Sequence, residues 1–546
     1  MQIPDIQLDT IVDPAVRQAV AQLLNLLEQL VAENQALRSE NQLLRDENAR
    51  LKGGSSKPEI KPNRPSAPAD HSSEAERRTP TPRGKSSKNR LLVVTREQPC
   101  RVEAATLPPD AVRHGTCEVI VQDLLLKAEV IRFVREVWLV PSTGQTITAP
   151  LPEGYQGAFG PHIQALAIAL GHGAHVSQPS LLTFFQDAGI QIGAGTLSRW
   201  LSDPNGLWHE EARAIQQAGL ASSTWQATDQ TATRVEGRNQ SCHVLGNQLF
   251  TLYHTRPGSS RQDVLAVLWG QEPRFRLNAD ALAWLEASSI RRALLPQLCA
   301  ALPWEREMSR AALSEQLQVA GVVLGPQQQQ QVYDALAIAA YHAQRDVPIV
   351  RQLLSDDAAV YHLLTDAHAL CWVHDGRHYA KLNPVVGEHQ RLLAAFRKDY
   401  WAYYRKLLAY RAAPSACAAE QLRHQFEELV ARRTGYAALD ERIAKTEANG
   451  ALLLLVLEHP EIPLHNNDME LAARRRVRKR DVSFGPQSRV GARAWDTFQT
   501  IIATASKLGV RLYEYLLNRR LAPELTLSLA DHIRQRTAAP AIPVSA

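Results

Sequence analysis

Asp229 closes the strand-like segment STWQATD, Asp356 follows the apolar stretch VPIVRQLLS, and Glu470 lies in LHNNDMELAARRRVRKR. Carboxylates drawn from distant parts of one chain suit a particular chemistry. Cleaving or joining a phosphodiester needs an attacking oxygen activated and a leaving oxygen stabilised, in line across phosphorus. Two divalent cations about 4 Å apart do both, and hard Mg²⁺ or Mn²⁺ prefers carboxylate oxygens. With 56 acidic residues the chain offers many triples, so spacing alone does not select this one. Glu470 also stands three residues after Asn467, the spacing of a capping box, and helix capping is its competing role.

Beyond Glu470 comes the basic run Arg474, Arg475, Arg476, Arg478, Lys479 and Arg480. One helical turn past a metal ligand is where phosphate oxygens would lie, and guanidinium forks suit phosphate. Such contacts position a nucleic acid without reading its sequence. A solvated helix face is the alternative. Cys371 and His374 form a C-x-x-H pair, half of a zinc site. Without a second pair, a buried cysteine and a satisfied core histidine are the better reading, with a His374 near the site as the alternative, and no zinc is expected.

The elements that must hold these groups follow from periodicity. STWQATD and TATRVEG read as two strands, and CHVLGNQLFTLYHT as two more around a Gly246-Asn247 turn, which puts Asp229 at a strand end on the sheet edge. Asp356 ends either a short strand or a helix. The hundred-odd residues before Glu470 are mostly helical in pattern, as is the segment holding GPQQQQQ (325–331), to which no role attaches. SQPSLLTFFQDAGIQIGAGTLSRWLS gives a helix, a turn near Gly189 and a second helix, preceded by a helical stretch from His162 to Leu170. This is the outline of a helix-turn-helix whose second helix would present Thr196, Ser198 and Arg199 to DNA, or of an ordinary helical hairpin.

Near the start, Asp13-Pro14 has the form of an N-cap followed by proline at the first helical position. From there Leu23, Leu30, Leu37, Leu44 and Leu51 repeat every seven residues, beside Val20, Leu27, Asn34, Asn41 and Asn48. Leucine on one seam with asparagine on the other is the pattern of a parallel two-stranded coiled coil whose register the asparagines fix, with a solvated single helix as the alternative. The Pro-, Ser- and charge-rich stretch from Gly53 to Lys88 cannot bury enough apolar surface to fold. RLLVV, CEVIVQDLLL and REVWLVP suggest a small β-containing module up to about Pro152.

Bulk composition narrows the class. At 546 residues the chain has room for about three domains. A hydrophobic fraction of 45% and a charged fraction of 21% are those of a globular protein, and a net charge of +5 is too small to imply a polyanion without the local clusters. Six cysteines without a CxxC pair exclude an obvious zinc finger and suit a reducing compartment. MQIPDIQLDT lacks the marks of a signal peptide, and the longest apolar run, ALLLLVL, is far too short to span a bilayer. A soluble, cytoplasmic protein is expected.

Three segments together resemble the insertion-sequence-66 family of bacterial DDE transposases. ATDQTATRV resembles its Asp-Glu-Thr segment, and LLSDDAAVYHLL with ALCWVHDGRHY its Asp-Gly-Tyr…Tyr and Cys-Trp-x-His segments. LHNNDMELAARRRVRKRDVSFGPQSRVGARAWDTFQTIIATASKLGVRLYEYL resembles its Asn-Asn-x-x-Glu-Arg block with the Thr-Ala-x-x-x-Gly-Val tail. The Glu-Asn-Gln-rich zipper and proline-rich linker are similar as well. The resemblance implies an α/β fold with a ribonuclease-H-like catalytic core, preceded by a helix-turn-helix region and an N-terminal coiled coil. It makes Asp229, Asp356 and Glu470 the catalytic, metal-holding triad, with two Mg²⁺ or Mn²⁺ ions. The five-residue step to Tyr361 favours Asp356 over Asp357. It implies cleavage at element ends, then attack of the freed 3′-hydroxyl on target DNA. The sequence departs from the family at Gln230, at Gly376-Arg377 in place of paired arginines, at Leu471, and in lacking a cysteine-rich zinc module beyond Cys100 and Cys117.

The domains expected are a coiled coil (14–52), a linker (53–88), a small β module or degenerate zinc region (89–152), a helix-turn-helix region (153–205), a catalytic domain (220–520) with helical insertions near 265–345 and 380–460, and a tail (521–546). Partners implied are DNA, a second copy through the coiled coil, and accessory proteins of the same element, but no membrane. The alternative is an inactive DNA-binding regulator or domesticated remnant, or a coiled-coil protein with an unrelated globular domain. Deleting residues 1–52 is expected to lower the sedimenting mass in analytical ultracentrifugation. An unchanged mass would refute the zipper.

Overall fold

The computed structural model describes residues 6, 8–51, 92–103, 108, 111–112, 117–124, 126–155, 157–202, 206–288 and 290–538. The linker expected at 53–88 lies outside the described residues. Helix α1 (Pro14–Leu51) is capped as its sequence requires, with Asp13 Oδ1 accepting from the Ala15 N–H at 2.8 Å. Among the described residues of the small β module, the strands are an exposed hairpin of β1 (Val137–Val140) and β2 (Gln145–Thr148). No helix or strand precedes it from Leu92 onward among the described residues. RLLVV and CEVIVQDLLL alternate like strands but have no sheet to join.

Helices α2 (Pro161–Ile168), α3 (Gln178–Asp187) and α4 (Ala194–Ser202) close a small core of Ala167, Leu181, Phe185, Ile192 and Leu197. A π-helical turn (Ala169–Gly173) extends α2, and α5 (Leu207–Ala221) leads into the sheet. Strands β3 (Trp225–Val235), β4 (Arg238–Gly246) and β5 (Thr251–Arg256) form an antiparallel meander. STWQATD and TATRV are therefore one strand, not two. The turn that sequence reading missed is Glu236-Gly237, both at positive φ (51° and 74°), as a two-residue type I′ hairpin demands. At the expected Gly246-Asn247 turn the loop runs from Asn247 to Phe250.

Next come α6 (Arg261–Trp269), β6 (Phe275–Arg276), α7 (Ala279–Ala287), α8 (Leu294–Ala301), β7 (Glu307–Met308), α9 (Arg310–Val319) and α10 (Pro326–Ala343). The glutamine run opens α10, behind proline at its first turn. Strands β8 (Gln352–Ser355) and β9 (Ala367–Leu370) then return to the sheet, parallel to β3 and to each other, giving the order β5-β4-β3-β8-β9. After β9 come α11 (Trp372–Ala380), α12 (Gly387–Ala412), α13 (Ala416–Val430), α14 (Ala437–Ala448) and the short α15 (Gly450–Leu453). The chain ends with α16 (Asn467–Ser483), α17 (Arg489–Lys507), α18 (Leu512–Leu521) and α19 (Leu529–Ala538). The last is not a loose tail: Leu529, Ala530 and Ile533 are buried, and α19 packs on α5.

The sheet is buried on both faces. Leu245, Leu252 and Leu353 enter one core with α5, α6, α10 and α17. Their neighbours Val244, Tyr253 and Leu354 enter a second core with α11 to α14 and α16. This is the alternation of a pleated strand clad by helices on both sides.

Edge strand β5 is closed by a helix. The N–H groups of Thr251, Tyr253 and Thr255 donate to Thr504 Oγ1, Thr500 Oγ1 and Asp496 Oδ2 at 3.3, 3.0 and 2.7 Å. Four residues of helix rise about 6 Å and two residues of strand about 6.6 Å, so i, i+4 side chains on α17 match alternate amides of β5. Thr500→Val keeps the shape but orphans a buried amide, and should cost about 1–3 kcal/mol in urea denaturation. A loss below about 0.5 kcal/mol would show that the contact contributes nothing.

Candidate functional site

Strand register does the first part of the positioning. β3 pairs with β8 through Trp225–Gln352, Gln226–Leu353 and Ala227–Leu354, so two residues further on Asp229 stands level with Asp356. Asp229 shares the strand face of Trp225 and Ala227, and Asp356 follows Leu354 at the same spacing, all three in the core beneath α11 and α16. Asp229 is thus the fifth residue of an eleven-residue strand, not a strand end. The pairing of Ser355 with Leu370 extends the row to Cys371, whose N–H donates to the Ser355 carbonyl at 3.0 Å. The row lies at the carboxyl ends of the parallel strands, beside the point where chain order reverses, where open α/β sheets place ligands.

α16 delivers Glu470 to this row. The Asn466 N–H donates to Cys371 Sγ at 3.3 Å, and its side-chain amide donates to the Thr228 carbonyl at 2.6 Å. The Trp372 N–H donates to the Leu464 carbonyl at 2.9 Å. The start of α16 is therefore fastened next to Asp229 and Cys371. No capping box forms: Asn466, not Asn467, is the cap residue, without a side-chain cap bond. The Glu470 carboxylate instead faces α11, where Arg377 Nη1 and Nη2 donate to its two oxygens at 3.1 and 2.9 Å. His374 Nε2 lies 3.6 Å from the same carboxylate. His374 is therefore a rim residue and not the satisfied core histidine expected.

Burial pushes the Asp229 carboxyl up to about 6, against the Gln230 N–H that donates to it at 2.8 Å. The charges of Glu470 and Asp356 raise it further, and that of Arg377 lowers it, so Asp229 senses the other three groups. Burial raises the Tyr361 hydroxyl too, followed by the charges of Asp356 and Asp229, which puts the phenol on the border of the same cluster. Asp357 is engaged elsewhere, accepting from Asn449 Nδ2 at 2.9 Å and facing His362 Nε2 at 3.2 Å. Among the described residues, the ligand atoms of Cys371, His374 and Glu470 lie within 4.8 Å of one another, a set that could hold a metal ion, and burial holds the Cys371 thiol up at about 11.

The basic run divides by helix face. Arg474, Arg475 and Arg478 are exposed. Arg476 and Lys479, expected at phosphate, are only 1% and 3% exposed and point into the protein. Arg476 pairs with Asp496 at 3.0 Å and donates to Gln499 and Thr255, while Lys479 donates to the Gly171 carbonyl at 2.6 Å. Both lie over the Trp495 ring. Arg480, half-buried, donates to the Ala232 carbonyl. The spacing of Met469, Ala472, Arg476 and Lys479 marks one helical face and was the available signal. On α4, Ser198 and Arg199 are exposed and Thr196 half-buried, while Leu197 points inward. Burial first, then Lys479, Arg475 and Arg478, lower the pKa of His175, so the basic helix runs beside the loop entering α3.

Sequence reasoning gave no role to Asn466 or Arg377. Their signals were the Asn-Asn pair ahead of Glu470, and an arginine one helical turn after His374. Gly376 has a packing cause: a Cβ there would meet the Trp401 ring at 2.6 Å, so no arginine fits.

The model of the family described as Transposase IS66 family matches residues 337–494. The match spans β8, β9, the helices that follow and α16. An uncharacterized protein of Sinorhizobium fredii (strain NBRC 101917 / NGR234), y4jO, is 31% identical over 302 residues, covering 55% of this chain and 93% of that protein.

Burial, followed by the charge of Arg476, depresses Lys479 to about 7. An unfolded lysine titrates near 10.4, so between about 7 and 10 the folded chain has released a proton that the unfolded chain keeps. This group therefore makes stability rise with pH across that window, and below about 7 its full charge-burial penalty is present. Urea midpoints of Lys479→Met should show a flatter rise over this range than wild type. Parallel profiles would mean that Lys479 is not the titrating group.

Proposed function

Because the chain belongs to the IS66 family of transposases, we propose that it cleaves DNA at element ends and joins the freed 3′-hydroxyl to a target, with Asp229, Asp356 and Glu470 as its metal-holding residues. The observation that supports this reading is the register that sets Asp229 level with Asp356, with the start of α16, which carries Glu470, fastened to Thr228 and Cys371 through Asn466. The sheet, three antiparallel strands followed by two parallel ones in the order β5-β4-β3-β8-β9, supports a ribonuclease-H-like core. Oxygen donors around a desolvated carboxylate fit Mg²⁺ or Mn²⁺, and two such ions when bound would activate the attacking oxygen and stabilise the leaving one.

The chain's own groups then have separable tasks. Asp229 and Asp356 hold their level through strand register, and Asn466 sets the height of Glu470. In the first step a water oxygen bonds to phosphorus, the bond from phosphorus to the 3′ oxygen breaks, and the proton ends on that 3′ oxygen. In the second the 3′-hydroxyl attacks a target phosphorus and displaces the target's own 3′ oxygen. Arg474, Arg475 and Arg478, exposed on the helix that carries Glu470, are the candidates for contacting backbone phosphates. Ser198 and Arg199 on α4, with Thr196 beside them, are the candidates for reading end sequence.

Self-association is assigned to α1. Leu23, Leu30, Leu37 and Leu44 are exposed along one side. The opposite side docks on the helical insertion, where Glu28 accepts from the Val385 and Val386 N–H groups and Asn25 bonds Gly435 and Ala437. The seam is thus left for a second copy. No helix among the described residues is long and apolar enough to cross a membrane.

Mn²⁺-dependent nicking of a duplex carrying the sequences that flank the reading frame tests the reading. Asp229→Asn and Glu470→Gln should each lose at least about 100-fold in rate while keeping the wild-type melting profile. Equal cleavage by Glu470→Gln would remove that residue from the site. Tight binding without cleavage by wild type would favour the regulator.

A further inference from the structure

Arg377 takes both oxygens of Glu470, at 3.1 and 2.9 Å, in a paired fork. Its side chain is 45% exposed and that of Glu470 12%, so the guanidinium reaches in from the rim to a sheltered carboxylate. The helix beneath it is fixed. Asp375, two residues earlier, is buried and accepts from Tyr400 and Thr446 at 3.0 Å and from Arg442, and Gly376 rests against Trp401. The Arg377 side chain, 45% exposed, has room to change partner. Its charge also reaches Asp229, whose pKa it lowers, so it acts as a counter-charge to more than one carboxylate.

A divalent cation and this guanidinium would compete for the same two oxygens. We propose that Arg377 is an exchangeable counter-ion: a metal entering the Asp229, Asp356 and Glu470 set displaces it, and the released guanidinium takes a DNA phosphate at the rim. Metal and DNA loading are then linked through one side chain. This inference rests on the three carboxylates holding metal, as proposed above. The rival role is positioning, with Arg377 staying in place to orient Glu470 toward the metal. The two roles predict opposite signs.

Mn²⁺ binding to the full chain without DNA, read from the electron paramagnetic resonance signal of free ion, separates them. Wild type, Arg377→Gln, Asp229→Asn and Glu470→Gln would be compared after their melting profiles are shown to match. Exchange predicts that Arg377→Gln binds Mn²⁺ about three- to tenfold tighter, because a partly exposed pair no longer competes. Unchanged or weaker binding by Arg377→Gln, with binding lost in the other two variants, would overturn exchange and leave the metal site standing. Wild-type binding in Asp229→Asn and Glu470→Gln would overturn the site and this inference together. The phosphate half has its own readout. With Mn²⁺ present, the salt dependence of binding to a short duplex of arbitrary sequence should be shallower by about one charge in Arg377→Gln than in wild type. Equal slopes would overturn that half.

Discussion

The parallel pairing of β3 with β8 is the constraint on which the rest depends. Three register pairs, Trp225–Gln352 to Ala227–Leu354, bring together segments separated by five helices and a small ribbon, and set Asp229 level with Asp356. A slip of one residue would turn one aspartate to the opposite sheet face. Leu353 and Leu354 enter different cores, so such a slip would also repack both faces of the sheet. The position of the aspartates is thus inherited from packing, and Cys371 and Asn466 carry it on to the start of α16.

α16 shows how a very basic helix can be built into a protein. Of its six cations between Arg474 and Arg480, two are interior. Arg476 is tolerable there because Asp496, Gln499 and Thr255 satisfy its guanidinium and Trp495 covers it. Removing one partner of such a buried pair costs about 3–5 kcal/mol. Lys479 joins α16 to the turn after α2 through the Gly171 carbonyl, so the module of α2 to α4 is held to the helix that carries Glu470. What looks in sequence like a uniform phosphate clamp is one exposed face backed by one structural face.

Much of the fold was legible. The N-terminal helix and its cap, the strands around Asp229, the helices on either side of β8 and β9, and α16 all announce themselves by periodicity, caps or motif. The misreadings have physical causes. Glu236-Gly237 is not a familiar turn dipeptide, so one long strand was divided and Asp229 misplaced to a strand end. RLLVV and CEVIVQDLLL have the composition of strands, but strand formation needs a pairing partner that composition does not supply. Arg476 and Lys479 were taken as surface because burial of a cation depends on a distant acceptor, Asp496 in one case and the Gly171 carbonyl in the other. The candidate site was legible as residues but not as contacts. Nothing in the local pattern says that the partner of Glu470 is Arg377 and not Asn467.

The threonines and aspartate of α17 have a consequence outside the site. A strand at the margin of a sheet normally offers its amides to any extended segment, from the same chain or another. On β5 the outward amides of Thr251, Tyr253 and Thr255 are already taken by helix side chains. That margin is closed to strand addition, so copies of this protein cannot grow into a shared sheet from β5, and association there must use side chains rather than backbone.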